Sequence, residues 1–596
     1  MARLKYNFTW KKYHRWFGLV LSVFMLVFCV SGIILNHREA FSGCEVSRKW
    51  LPASYHIKNF NNGVVKGTVV KNSGSLAISE GFSDSILVYG CAGVFLTDYQ
   101  LSTWQDFNAG LPKSIDERNV RHLVQARDGS LWCAALRDVY RYDENAQQWK
   151  KVELPGNEER IMDVALGKNS IQVVALTRSR IFEITPIASN IDVSESPSSL
   201  ASSAKGGVSE KSPDIFEKKS GGFSEKVGTF LGKYRVEAKI IPAPKNYEPK
   251  TTLFKLVWHL HSGEFFGLPG KLVVDAIALV LIVLSITGIL RFILPYGIRR
   301  AKKVKSEERR VKNSLAAKNR MKRLGKLFAW NMKWHNKIGY VTIVLTLWIA
   351  ITGMCLRPPL MVPLVLSKLP QAVGEDGNVW QDKLRAIRWD AVQGDWLVST
   401  SEGFLRVDED FSQAPKMLPD DECPKLSPMG VTVWESDGKG GWIVDSFRGI
   451  YRWNPVNHKS KILDYFTNEP CVETSMIPIS DNLICGYSED FLGGKPLVFD
   501  FAKGVEDAKG QAVVLCNDEP KTSRNEESMS DLICETAPMS LWNVALELHV
   551  GRCYSPFLGP LSDLFVFLSG LLITLVLLSG YIISHRRRKK AQARLK

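Results

Sequence analysis

The chain has 596 residues, a mean hydropathy of −0.06 and a net charge of +16. That length leaves room for three or four domains. So basic a chain could suit a nucleic acid, but 27 of its 77 Lys/Arg fall in the short segments 1–16, 299–326, 333–337 and 586–596, whose only acids are Glu307 and Glu308. Topology and contact with anionic membrane lipid account for such segments without nucleic acid, and what remains is mildly acidic.

In chain order, residues 1–37 form a basic start and an apolar run at 17–35. About 20 apolar residues are what a helix needs to cross roughly 30 Å of hydrocarbon. No small-residue cleavage site follows this long run, so a removed signal peptide is not expected. Residues 38–258 alternate apolar and polar positions around Gly and Asp turns, as half-buried antiparallel strands do. Inside them, 187–229 is Ser-, Gly- and Lys/Glu-rich and too poor in apolar residues to fold, so a disordered insert is expected there. Residues 259–298 carry a second run at 272–294, and 299–334 form a basic loop. A third run at 338–356 lies in 335–357, a second strand-rich segment is 358–546, and 547–596 hold a fourth run at 564–583 and a basic tail. Short Lys/Arg-rich loops stay inside. The expected fold is a four-span α-helical bundle with both termini cytoplasmic, plus all-β domains at 38–258 and 358–546 on the exported face.

The chain repeats itself. His14 to Gly18 and Ser31-Gly32 return as His335 to Gly339 and Thr352-Gly353, 321 positions later. Leu260-His261-Ser262-Gly263 and Asp275 return as Leu548-His549-Val550-Gly551 and Asp563. Thr287-Gly288 answers Ser579-Gly580. A two-span unit used twice implies a bundle with an approximate two-fold axis along the membrane normal. The strand-rich segments repeat on a finer scale: Asp128 to Trp132 and Asp138 to Asp143 match Gly441-Trp442 and Gly449 to Asn454 in form. Three such units per segment resemble the propeller repeats of sensor proteins from Bacteroidetes and imply β-propeller-like domains, with other antiparallel β domains as the alternative; the Trp side chains are expected to fill the cores rather than to line a ligand site. Nine of the eleven cysteines lie in or beside these segments. Cys516 and Cys534 bracket a polar loop and are the pair the sequence favours for a disulfide.

Seven of the ten histidines sit at span ends: His14, His335 and His585 on the cytoplasmic side, and His37, His259, His261 and His549 on the exported side. His14/His335 and His261/His549 are matched by the duplication, and two imidazoles facing across a helical bundle can ligate haem iron axially. Gly18 and Gly339, one turn beyond their histidines on the same face, leave room for a flat macrocycle or for close helix packing.

HisArgTrpPheGly leading into a span, LeuHisSerGlyGluPhePheGly before another, and SerGly or ThrGly within the spans resemble the PepSY-associated transmembrane family, which includes bacterial inner-membrane reductases of ferric siderophores. The resemblance implies a four-helix bundle with b-type haem, two of them here, ligated by His14, His335, His261 and His549 and moving electrons outward. It leaves His37 to ligate haem, to hydrogen-bond a propionate or to sit in the interface, and Arg38, Arg357 and Arg552 either to pair with propionates or simply to anchor helices. The strand-rich segments depart from the small PepSY fold, and no catalytic residue is assigned. The cytoplasmic segments hold no GxGxxG after a strand and no P-loop, so electrons would come from a quinol or a cytoplasmic reductase rather than from a bound nicotinamide. The expected function is reduction of an exported ferric complex, such as a ferric siderophore. The alternative is a haem-free sensor whose propeller-like domains bind an exported ligand or protein.

The topology is open to direct test. Tags at residue 1, near 315 and at 596 should be shielded from reagents on the exported side, and one near 205 should be reached. Cleavage at 205 by protease from the cytoplasmic side would refute it.

Overall fold

The computed structural model describes residues 2–71, 85–99, 101, 103–186, 229–231, 234–308, 315–371, 377–425, 427, 429–446, 449–455, 462–471, 483–491, 493–515 and 537–594. Cys516, Cys534 and nearly all of the 187–229 insert lie outside them, although Thr229 begins a strand, Thr229–Leu231. The chain divides into two compact units. One comprises Met1–Pro52, Glu248–Ala372 and Met539–Lys596, the other Ala53–Tyr247 and Val373–Pro538.

The first unit is helical. Its main elements are α1 (Ala2–Asn36), α2 (Leu253–Ser262), α3 (Gly267–Glu308), α4 (Leu315–Val341), α5 (Ile343–Cys355), α6 (Leu541–His549) and α7 (Ser562–Gln592). Among the described residues, three helices are long and apolar enough to cross a membrane: Trp10–Asn36, Glu264–Arg300 and Arg552–Gln592. The pair Asn319–Val341 and Ile343–Cys355, bent by 68° at their junction, makes a fourth candidate where the two count as one span. The third apolar run is thus a broken helix rather than a straight one. Just before the break, the Thr342 hydroxyl bonds back to the Ile338 carbonyl at 2.9 Å, a local competitor for helical geometry.

The duplication is visible in three dimensions. Glu45–Val46 pairs antiparallel with Met539–Ser540, and Lys250–Thr252 with Lys368–Pro370. Each ladder joins one half of the chain to the other. Thr252 and Ser540 then cap α2 and α6, accepting from Lys255 N and Asn543 N at 3.2 Å each, as N-cap hydroxyls do. Gly263 and Gly551 follow those helices with φ of 79° and 86°, a left-handed conformation that glycine adopts without steric cost.

Among the described residues, the second unit holds six antiparallel sheets, within residues 67–106, 122–152, 161–239, 384–417, 433–464 and 484–507. Their middle strands are buried on both faces, whereas outer strands such as Gln148–Val152 and Tyr234–Lys239 are half-buried as expected. On Ser85–Gly90, Ile86 and Val88 pack against Phe491 and Phe499 of the last sheet. The intervening Leu87 and Tyr89 pack against Leu123 and Tyr140 of the second. Successive side chains point to opposite faces, and each face here meets another sheet. Four more seams continue the series: Trp132 with Phe182, Ile181 with Trp396, Phe404 with Trp453, and Val433 with Tyr487. Each sheet therefore packs against the next and the last against the first. Two of the six seams join the halves of the chain.

The first strands of these sheets carry a buried polar cluster. Arg388 Nη1 donates to Asp163 Oδ2 at 2.6 Å, and His122 Nδ1 lies 3.1 Å from Asp163 Oδ1. Burial alone would push the Asp163 carboxyl up, but the Arg388 and His122 charges and the Ile387 amide outweigh it and hold it below the ordinary carboxylate range. A depressed carboxylate stabilises the fold above its unfolded pKa of about 3.9, and that contribution is lost as pH falls through the lower folded value. Arg388→Met should therefore destabilise this unit by about 3–5 kcal/mol, while Asp163→Leu/Arg388→Met together should cost much less. Thermal unfolding of the full-length variants near neutral pH reads both; a double variant as destabilised as Arg388→Met would mean that the unpaired Asp163 carboxylate is not the source of the cost.

Candidate functional site: two histidine pairs in the helical unit

The four duplicated histidines meet as two pairs. The rings of His14 (α1) and His335 (α4) have centroids 6.3 Å apart at an interplanar angle of 67°. Those of His261 (α2) and His549 (α6) are 6.1 Å apart at 49°. An imidazole nitrogen binds a metal at about 2 Å and its ring centre lies about 1.1 Å further back, so two imidazoles on opposite sides of one ion have centroids about 6.2 Å apart.

Each ring is held in one way, four times over. His14 Nδ1 is 2.9 Å from Ser579 Oγ and 3.1 Å from the Val576 carbonyl. His335 Nδ1 is 2.8 Å from Thr287 Oγ1 and faces the Leu284 carbonyl. His261 Nδ1 is 3.0 Å from Thr352 Oγ1 and faces the Ile349 carbonyl. His549 Nδ1 is 3.0 Å from Ser31 Oγ and 3.1 Å from the Phe28 carbonyl. These hydroxyls donate to their own helix, Ser31 to Val27 O and Thr287 to Val283 O at 2.7 Å, Thr352 to Trp348 O at 2.8 Å and Ser579 to Val576 O at 2.7 Å. A hydroxyl that has donated its proton, and a carbonyl that has none, can only accept. The Nδ1 of each ring therefore carries the hydrogen, and Nε2 keeps its lone pair. Among the described residues no hydrogen bond is made to any of the four Nε2 atoms.

The residue after each hydroxyl is a glycine, and it makes the room. A Cβ on Gly353 would lie 2.8 Å from His261 Cε1, one on Gly580 2.9 Å from His14 Cε1, and one on Gly32 3.3 Å from His549 Cε1. Gly288 is looser, at 3.8 Å from His335 Cε1. The repeated SerGly and ThrGly dipeptides are thus the receptors of the repeated histidines. Sequence reasoning saw both motifs but not that they interlock, because each partner lies on a helix from the other half of the chain.

A space of about 1020 Å³, counting its open mouth, lies between His14 and His335. Gly18, Gly288, Gly339 and Gly580 line it. Among the described residues, no group of three or more His, Cys, Asp or Glu is placed to hold a bare metal ion. A pair of imidazoles alone suits an ion whose other positions are filled by a macrocycle. The two pairs are well separated: on α1, Ser31 lies seventeen positions after His14, about 25 Å along a helix.

The other sequence candidates stand elsewhere. His37 Nε2 is bonded to Asp275 Oδ2 at 2.7 Å, and Asn36 donates to Asp275 Oδ1 at 3.1 Å. Neither pair includes it. Arg357 lies 3.5 Å from Asp563 Oδ1, Arg552 is paired with Glu547, and Arg38 stacks on Trp542 at 3.9 Å. The arginine that does line the His14/His335 space is Arg291, together with Arg15; its signal in the sequence is a cation inside an apolar run.

These features define a multi-helix membrane protein with paired histidines between its helices. The model of the PepSY-associated TM region matches residues 4–294 and again 301–588, and the chain belongs to that family. No curated protein matches it. Among solved structures it is similar, at 10% identity and a TM-score of 0.30, to one described as the extracellular domain of a one-component system from B. thetaiotaomicron, over 76% of this chain and 39% of that one. A second, described as belonging to a hybrid two-component system of the same organism, gives 10% identity and a TM-score of 0.27 over 75% and 39%. The chain thus spans about two fifths of those structures.

Thr287→Val keeps the side-chain shape and removes the acceptor on His335 Nδ1. Imidazole nitrogen-15 spectra of histidine-labelled protein should show a single Nδ1–H tautomer for His335 in the wild type and a mixture in the variant. An unchanged tautomer would assign its control to the Leu284 carbonyl alone.

Proposed function

We propose that the protein is an inner-membrane cytochrome of b type, with one haem held by His14 and His335 and another by His261 and His549, that reduces a ferric chelate on the exported face. The observation that carries this reading is the geometry of the pairs: two imidazoles at the separation one shared ion requires, each with Nδ1 committed to a neighbouring helix and Nε2 left to ligate. Haem would supply a one-electron Fe(III)/Fe(II) couple at each pair.

The chain's own residues divide the remaining work. The Ser/Thr hydroxyls and carbonyls fix tautomer and ring plane, as partners of metal-bound histidines do. With the hydrogen on Nδ1, a neutral imidazole presents its Nε2 lone pair, which can ligate both oxidation states of the metal. The glycines admit rings where a methyl group would collide. The basic segments support an orientation with His14 and His335 towards the cytoplasm, where a quinol or a cytoplasmic reductase would supply electrons, and His261 and His549 towards the exported side. We read the six-sheet unit as a six-bladed propeller in the periplasm, where it would recognise the chelate. A siderophore-type ligand fits the chemistry: oxygen donors grip Fe(III) far better than Fe(II), so one electron loosens the metal. Family membership supports this direction, because relatives of this kind include ferric-siderophore reductases. The contact with Asp275 supports a hydrogen-bonding role for His37 rather than a ligand role.

Purified protein should show a reducible low-spin b-type absorption spectrum. His14→Ala or His335→Ala should remove about half of the haem, and His261→Ala or His549→Ala the other half. Full haem content in all four variants would refute the ligand assignment. A wild type without haem would leave the protein as a sensor or binding protein of the exported compartment.

A further inference from the structure

Arg291 is a cation in the wrong place for a simple membrane anchor. It lies within the apolar run of α3, three residues before its end, about 4–5 Å along the helix. An ionised side chain at that depth is costly unless something answers its charge, and such residues mark functional sites. Among the described residues Arg291 makes no ion pair and no hydrogen bond. Its charged neighbours are Arg15 and Arg587, so the protein adds to its charge rather than neutralising it. Arg291 faces the space between His14 and His335, and so does Arg15, which also packs over the Phe292 ring at 5.2 Å.

The duplication shows what these cations add. Aligning His14 with His335 sets Arg15 against Asn336. Aligning Thr287-Gly288 with Ser579-Gly580 sets Arg291 against Ile583. Asn336 and Ile583 line the same space. Its histidines, hydroxyls and glycines are therefore two-fold, while the charge of its walls is not. A flat macrocycle with both carboxylates on one edge could enter a two-fold cavity in either of two orientations. A cation on the α1/α3 wall alone removes that degeneracy.

We propose that Arg291, assisted by Arg15, binds the carboxylate edge of the macrocycle held between His14 and His335 and so fixes its orientation. This rests on the haem reading above. Arginine suits the task because its planar fork meets a carboxylate through two parallel hydrogen bonds. The same chemistry could be met by a lipid phosphate, but the side chain faces the cavity of the histidine pair, which favours a carboxylate carried by the occupant of that cavity.

The test uses the full-length chain carrying His549→Ala, so that only the His14/His335 site is counted, with His261→Ala as a second background should the first fold poorly. Each protein is reconstituted in nanodiscs with haem b or with its dimethyl ester, in which the carboxylates are blocked. Arg291 should make the ester bind roughly tenfold or more weakly than haem b. Arg291→Gln should take both equally while keeping the low-spin spectrum, and Arg291→Lys should restore part of the preference. Failure of Arg291 to discriminate, or discrimination undiminished in Arg291→Gln, would overturn the assignment. So would loss of the preference on adding anionic lipid, which would give the arginines to a headgroup. Absence of haem from both backgrounds and from the wild type would instead refute the haem reading, and this inference with it.

Discussion

The structure of the helical unit depends on one hydrogen bond made four times, from an imidazole Nδ1–H to a hydroxyl on a neighbouring helix. Each of these bonds crosses between the halves of the chain: His14 to Ser579, His335 to Thr287, His261 to Thr352 and His549 to Ser31. An imidazole N–H left unpaired in an apolar bundle would cost about 1–3 kcal/mol, so helix register and ring orientation are set together. The contact that assembles the bundle is the one that prepares the site.

Repetition explains why the arrangement is so regular, and its breaks show where the halves have separate tasks. Ladders, caps, left-handed glycines and histidine receptors all recur. At the matching Asp275 and Asp563, however, one half offers His37 and the other Arg357. Around the His14/His335 space, Arg15 and Arg291 face Asn336 and Ile583. A symmetric scaffold can supply two equivalent ligands to one ion, but an asymmetric ligand or a directional transfer needs groups that are not repeated.

The sheet unit is built on another principle. Its strands place alternate residues on opposite faces, and both faces find a neighbouring sheet, so runs such as Ser85–Gly90 and Val173–Thr177 are buried throughout. Large aromatics fill the seams: Trp132, Trp396, Trp434 and Trp453 are fully buried. Some of the buried polar side chains answer one another, as Asp163 and Arg388 do. Because two of the six seams bring together segments that lie hundreds of residues apart, neither half of this unit completes its own core.

By itself the sequence determined what depends on local composition and on repetition. Apolar length marked the spans, including the one that turns out to be bent, since hydropathy reads length and not direction. Turn residues and aromatic spacing marked the strands. The offset of 321 exposed His14/His335 and an offset of 288 exposed His261/His549, and the SerGly and ThrGly echoes were legible as motifs. Only the tertiary structure decided what those motifs are for. Hydrogen bonds between residues such as His14 and Ser579, 565 positions apart, leave no trace in local pattern. Nor could the sequence tell that Arg38, Arg357 and Arg552 are engaged elsewhere while Arg291 faces the histidines: a basic residue near a helix end looks the same whether it meets lipid, a carboxylate of its own chain or an open cavity. Which of these it meets is set by helix rotation, and helix rotation is set by packing.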